Sequence, residues 1–137
     1  MTLLEGSCLC GGVRFEVTED FVSVSQCHCT NCKKLSGGVG TSNGRVRTEA
    51  IRVVSGEGLL RTYQPPEGTA KTFCSECGSN LFGGGWPRSE QASVRLSAID
   101  THFDRKPEAH TFTRSVAPWE ILADDGVARF DVRAPAR

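Results

Sequence analysis

Seven of the 137 residues are cysteine, and they stand in three tight groups: Cys8-Leu9-Cys10, Cys27-His28-Cys29-Thr30-Asn31-Cys32 and Cys74-Ser75-Glu76-Cys77. Thiolates one or two residues apart converge on one ion from a single turn of chain, which is what a structural zinc site needs. A disulfide framework is the poorer account. It expects an exported chain and an even count, whereas seven is odd, and rings closed between such near neighbours would be strained. Cysteines serving as small buried hydrophobes would be scattered rather than bunched. The third group, with Gly78 directly after Cys77, has the form of a zinc knuckle. Its two-residue spacer turns both sulfurs inward, and the glycine supplies the left-handed backbone that such a turn favours.

A knuckle provides two ligands and a closed zinc site takes four, so seven thiolates divide naturally as four plus three. The group that offers three locally, Cys27, Cys29 and Cys32, is expected to leave a coordination position open. Cys8 and Cys10 are then expected to join Cys74 and Cys77 in a closed site. Spacing alone leaves other pairings open, as it does a mixed site or His28 as a fourth ligand. In an extended stretch His28 points away from Cys27 and Cys29, which predicts a histidine hydrogen-bonded beside the site. A zinc ion with an exchangeable fourth ligand accepts a thiol and lowers its pKa, or polarises the oxygen of an aldehyde. Three anionic sulfurs cut its Lewis acidity, so the centre suits thiol exchange better than activation of water.

Three stretches carry a family resemblance. They are Gly6-Ser-Cys-Leu-Cys-Gly-Gly-Val-Arg-Phe, Cys27-His-Cys-Thr-Asn-Cys-Lys-Lys-Leu-Ser-Gly and Phe73-Cys-Ser-Glu-Cys-Gly-Ser-Asn-Leu-Phe, with a closing stretch from His110 to Trp119. Together they resemble the glutathione-dependent formaldehyde-activating family, which includes the centromere protein V group. The resemblance implies a mainly β fold of short antiparallel strands, of the β-tent type with zinc-ribbon-like knuckles, as a single domain over residues 1–137. It also implies a structural zinc on Cys8, Cys10, Cys74 and Cys77, and a second, labile zinc on Cys27, Cys29 and Cys32. The activity it implies is condensation of formaldehyde with glutathione to S-hydroxymethylglutathione, formally a carbon–sulfur lyase in reverse, with Cys27, Cys29 and Cys32 as the catalytic set.

A glutathione-like thiol carries two carboxylates, so cations are expected beside the open site. Between Cys32 and Cys74 the chain has seven basic residues (Lys33, Lys34, Arg45, Arg47, Arg52, Arg61 and Lys71) against three acidic ones, within a chain whose formal charge is zero. Lys33 and Lys34 adjoin Cys32 and are the candidates to steer an anion. Trp86, in Gly83-Gly84-Gly85-Trp86-Pro87, is a candidate pocket wall near the knuckle, with a packing tryptophan in a turn as the plainer account. Trp119 is expected to close the core. His102 and His110 have no evident partner.

The elements that hold these residues read as strands. Val13, Phe15 and Val17 alternate with Arg14 and Glu16, and Val22 and Val24 lead into the second cysteine group in the same way. Ile51–Ser55 is a β-branched run stopped at Gly56, and Leu59–Tyr63 is a run ended by Pro65-Pro66. Val94, Leu96 and Ala98 mark a later strand, and Phe112 and Phe130 are expected to anchor the end. Thr30 to Leu35 suits a brief helical turn. With 38% apolar residues the chain is globular, and no run nears the ~18 apolar residues of a membrane span. The start, Met-Thr-Leu-Leu-Glu-Gly-Ser-Cys, has neither basic leader nor apolar core, which predicts a cytoplasmic chain. Zero net charge gives no long-range pull toward nucleic acid or anionic membrane. Besides an enzyme acting on a thiol adduct, the pattern admits a non-catalytic zinc-stabilised binding module and a thiol or metal redox sensor.

Overall fold

The computed structural model describes residues 3–135. Alternation produces strands where it is clearest. Strand β2 (Arg14–Val17) turns Phe15 and Val17 inward and leaves Arg14 exposed. It pairs on one side with β1 (Leu4–Ser7) and on the other with β5 (Ile51–Ser55), making an antiparallel three-stranded sheet.

The remaining strands form one eight-stranded sheet. Strand β3 (Ser23–Cys27) delivers the second cysteine group and pairs with β4 (Thr41–Arg47), which pairs in turn with β9 (Gln91–Arg95). Beyond β9 lie β8 (Asn80–Gly83), β7 (Lys71–Cys74) and the edge strand β6 (Leu60–Tyr63). On the other flank β3 pairs with β10 (Ala109–Thr111), and β10 with β11 (Ala128–Arg129). These last two ladders are parallel, and the other ladders are antiparallel. The helical turn expected after the second cysteine group is α1 (Thr30–Ser36).

The core lies between the two sheets. Phe15 of the small sheet meets Phe82 of the large one edge to face, ring centroids 5.0 Å apart, and Val13, Val17, Val24, Val46, Leu81 and Val94 are fully buried with them. Burial of side chains of this size contributes about 1.5–3 kcal/mol each, which makes this seam the main apolar bond between the sheets.

Three expectations change. The strand marked by Val94, Leu96 and Ala98 stops at Arg95, and Leu96–Ala98 turns as a short 3-10 helix that buries only Ala98. Phe112 and Phe130 are half-buried and lie outside the core cluster. Trp119 is 71% exposed, so it does not close the core. The hydrophobic drive that would bury it is already met, since the seam is filled by Phe15, Phe82 and Trp86.

Candidate metal centres

The four cysteines of the first site come from two turns. Cys8 and Cys10 lie between β1 and β2, and Cys74 and Cys77 between β7 and β8. Local hydrogen bonds shape each turn: Cys8 N–H donates to the Val13 carbonyl (3.1 Å), Val13 N–H to the Cys8 sulfur (3.2 Å), and Gly78 N–H to the Cys74 carbonyl (2.8 Å). Gly78 has φ 78°, the left-handed conformation the knuckle turn calls for. A bond from Leu9 N–H to the Ser79 hydroxyl (2.8 Å) stitches the turns together across 70 residues of sequence. The Cys8 and Cys10 sulfurs are 3.5 Å apart, those of Cys10 and Cys74 are 3.9 Å apart, and all four lie within 4.8 Å of one another. A tetrahedron of sulfurs at ~2.3 Å from zinc has edges of about 3.8 Å, so the donor set fits a closed four-thiolate site. The Ser79 hydroxyl and backbone bring the Cys77 thiol down to about 5, into the range where it is a ready thiolate ligand.

The second set is local, as its spacing predicts. Cys27 ends β3, Cys29 caps α1 by accepting a hydrogen bond from Cys32 N–H (3.3 Å), and Cys32 points inward from the helix. Their three sulfurs also lie within 4.8 Å of one another, and Cys32 is buried. Hydrogen bonds from Cys27 and Cys29 hold the Cys32 thiol far below its ordinary value, helped by the Thr41 hydroxyl and the charge of Arg95. The Cys27 thiol is pushed up by its bonds to Cys29 and Cys32 and by burial. Binding of a metal ion here would require the three thiols to give up any protons they hold.

The cation at this site lies outside the basic stretch of the sequence. Arg95, 3% exposed, ends β9 on the sheet face that carries Thr41 and Asn43. Its Nη1 donates to Thr41 Oγ1 (3.2 Å) and to Asn43 Oδ1, and its Nε to Asn80 Oδ1 (3.3 Å). Burial pushes the guanidinium pKa down, while the nearby cysteines Cys32, Cys27 and Cys29 push it back up. The seven basic residues between Cys32 and Cys74 do not converge. Arg45 bonds Gln91, Arg47 bonds Glu19, Arg52 lies 3.6 Å from Glu16, and Lys71 bonds Thr69. Lys33 donates to the Ser115 carbonyl, and Lys34 is exposed. Trp86 packs on Phe82 with ring centroids 4.7 Å apart, as a core residue would. A groove of about 1160 Å³ is lined among others by Cys8, Leu35, Thr41, Asn80, Arg95 and Phe103, and neither Trp86 nor Cys27, Cys29 or Cys32 is part of its wall.

His28 is hydrogen-bonded beside the site, as its place between Cys27 and Cys29 predicts. Its Nδ1 is 3.2 Å from the Val39 carbonyl and 3.6 Å from the Glu120 carboxylate, and its Nε2 is 2.9 Å from His110 Nδ1. His110 does have a partner: it meets His28 on one side and, through Nε2, the Asp125 carboxylate at 2.8 Å on the other. Both rings are almost wholly buried. The parallel β10–β3 ladder brings His110 opposite Gln26, a juxtaposition that spacing along the chain does not reveal. His102 lies at the surface, 3.7 Å from Asp104. His110→Ala would strand a buried ring nitrogen of His28, so a loss of about 2 kcal/mol is expected. Urea unfolding checks it, and an unchanged midpoint would contradict the buried pairing.

The glutathione-dependent formaldehyde-activating enzyme family matches residues 3–115, a span that holds all seven cysteines, Arg95 and His110. The chain belongs to that family. A curated relative from Halomonas elongata, with the name "Putative glutathione-dependent formaldehyde-activating enzyme", is 35% identical over 129 residues, spanning 85% of this chain and 79% of that one. A crystal structure of a Rhodobacter sphaeroides protein has the same fold, with a TM-score of 0.58 at 21% identity over 92% of this chain and 98% of that one. Glu120 and Asp125, which hold the His28–His110 pair of this family member, lie beyond the span that the family matches. Among its described residues no helix is long and apolar enough to cross a membrane.

Proposed function

We propose that this chain is a zinc-dependent enzyme of the carbon–sulfur lyase type. It acts on, or forms, a thiol adduct of the S-hydroxymethylglutathione kind at Cys27, Cys29 and Cys32. The observation that carries this reading is the donor count: three converging thiols in this cluster, against four in the other. In the reaction the thiol sulfur forms a bond to the aldehyde carbon, and the thiol proton ends on the former carbonyl oxygen. A zinc ion held by the three cysteines would offer its open position to the thiol and lower its pKa.

The chain's own residues hold the three sulfurs in place. The ladder of β3 with β4 fixes Cys27, the α1 cap fixes Cys29, and the inward face of the helix fixes Cys32. Lys34 offers an exposed cation to a substrate carboxylate. Cys8, Cys10, Cys74 and Cys77 hold a second zinc with a structural role. In this reading glutathione is the small-molecule partner, nucleic acid is not a partner, the 137 residues work as one domain, and the site of action is the cytoplasm.

The test pairs elemental analysis with an adduct assay. Purified, folded protein is expected to hold two zinc ions, one of them perturbed by added glutathione, and to change the rate of S-hydroxymethylglutathione formation followed by NMR. Folded protein whose second cluster never takes zinc, and which leaves the adduct untouched, would overturn the proposal.

A further inference from the structure

Arg95 is a buried charge with an incomplete set of partners. Asn43, Thr41 and Asn80 take its Nη1 and Nε, while Nη2 has no hydrogen-bond partner among the described residues. The space for that nitrogen is made by Gly83, where an added Cβ would come within 2.5 Å of it. Two ladders place the guanidinium at the cysteines: Thr41 pairs with Cys27, and Asn43 pairs with Arg95. Burying a guanidinium is costly unless something nearby needs its charge. Among the described residues no carboxylate forms an ion pair with it, and the charges that act on it most strongly are those of Cys32, Cys27 and Cys29.

We infer that Arg95 is a positioning residue that selects a thiolate, rather than a neutral group, for the open position of the tri-cysteine site. The inference rests on the proposed function above and goes on to specify what the site prefers. Three thiolates around a divalent ion leave one net negative charge. Water or imidazole in the fourth position keeps it at one, whereas a thiolate raises it to two. In a buried site that second charge is expensive, and a fixed guanidinium offsets it without having to reorganise. The N–H groups of Nη2, which lack an acceptor, are available to a sulfur of the loaded centre. Lysine cannot reproduce this, because its point charge cannot engage Asn43, Thr41 and Asn80 together as the planar fork does.

The experiment uses the full chain loaded with Co²⁺, whose visible spectrum reports the fourth ligand. The four-cysteine site is coordinatively closed and contributes a constant background. Wild type, Arg95→Gln, Arg95→Lys and Gly83→Ala are each titrated with glutathione, with 2-mercaptoethanol (a thiol without carboxylates) and with imidazole. Arg95→Gln is expected to weaken binding of both thiols about 10–100-fold, the usual scale for groups that support metal ligands, and to leave imidazole affinity unchanged. Arg95→Lys should recover part of the loss, and Gly83→Ala, which displaces the guanidinium but keeps its charge, should lose part. If Arg95→Gln does not fold, the lysine and Gly83→Ala variants carry the comparison. Equal changes for thiols and imidazole, or no change, would overturn the inference while leaving the proposed function standing. A loss confined to glutathione would also overturn it, because Arg95 would then be reading carboxylates. A wild-type cluster that shows no thiol-dependent spectrum would bring down both.

Discussion

Cys77→Ser is expected to unfold the chain. The four-cysteine site joins the β1–β2 turn of the small sheet to the β7–β8 turn of the large one, so an ion held there would tie the two layers that the Phe15–Phe82 contact packs together. Structural zinc contributes roughly 10–16 kcal/mol of apparent binding free energy in small metal-dependent folds. That equals or exceeds the ~5–15 kcal/mol that separates a typical folded state from the unfolded one. Replacing one thiolate removes much of this and leaves the remaining sulfurs crowded around a weakened site. Far-UV circular dichroism, urea unfolding and metal content measure the effect together. Loss of the cooperative transition is the expected result, and stripping the wild type with a strong chelator should reproduce it. A variant that loses its metal yet keeps the wild-type midpoint would show that the apolar seam suffices.

Cys29→Ser should do the opposite, abolishing turnover while the fold survives. Cys29 is both a donor to the second site and the N-cap of α1, where its sulfur accepts from Cys32 N–H. Serine is among the best N-cap residues, so the helix keeps its start while the site loses a thiolate. Two remaining sulfurs cannot hold the ion as three do. Metal content should fall from two ions to one, the unfolding midpoint should move by less than about 1 kcal/mol, and adduct formation should drop to the uncatalysed background. Turnover that persists after this site is emptied would place the chemistry elsewhere. Cys32→Ser is a less clean probe, because Cys32 is buried and its loss disturbs packing as well.

Legibility followed the range of the forces involved. The β2 and β5 segments showed themselves because one face of each is buried, which writes period-two alternation into four or five residues. Strand β4 did not, although it lies in the middle of the large sheet. Its buried residues include Asn43, which serves Arg95 on one face, and Gly44, against which the Phe21 ring packs on the other, so no apolar alternation marks it. The basic stretch after Cys32 suggested a cationic site, yet Arg45, Arg47 and Arg52 point to a separate amide and separate carboxylates on the surface. Trp119 was expected inside because large aromatics usually are, but it stands outside while its neighbour Glu120 turns toward His28.

The sequence by itself marked out three cysteine groups and an expected division of seven thiolates into four and three, leaving the pairing of the groups open. It could do so because coordination number and the reach of one turn of chain are local quantities, written in spacings of one and two residues. Tertiary structure alone decided which charges and rings surround those ligands. Arg95 reaches the thiols through two successive strand registers, and His110 reaches His28 through a parallel ladder 82 residues away along the chain. Registers of this kind are set by packing over the whole sheet, where a slip of one residue would turn every side chain to the other face.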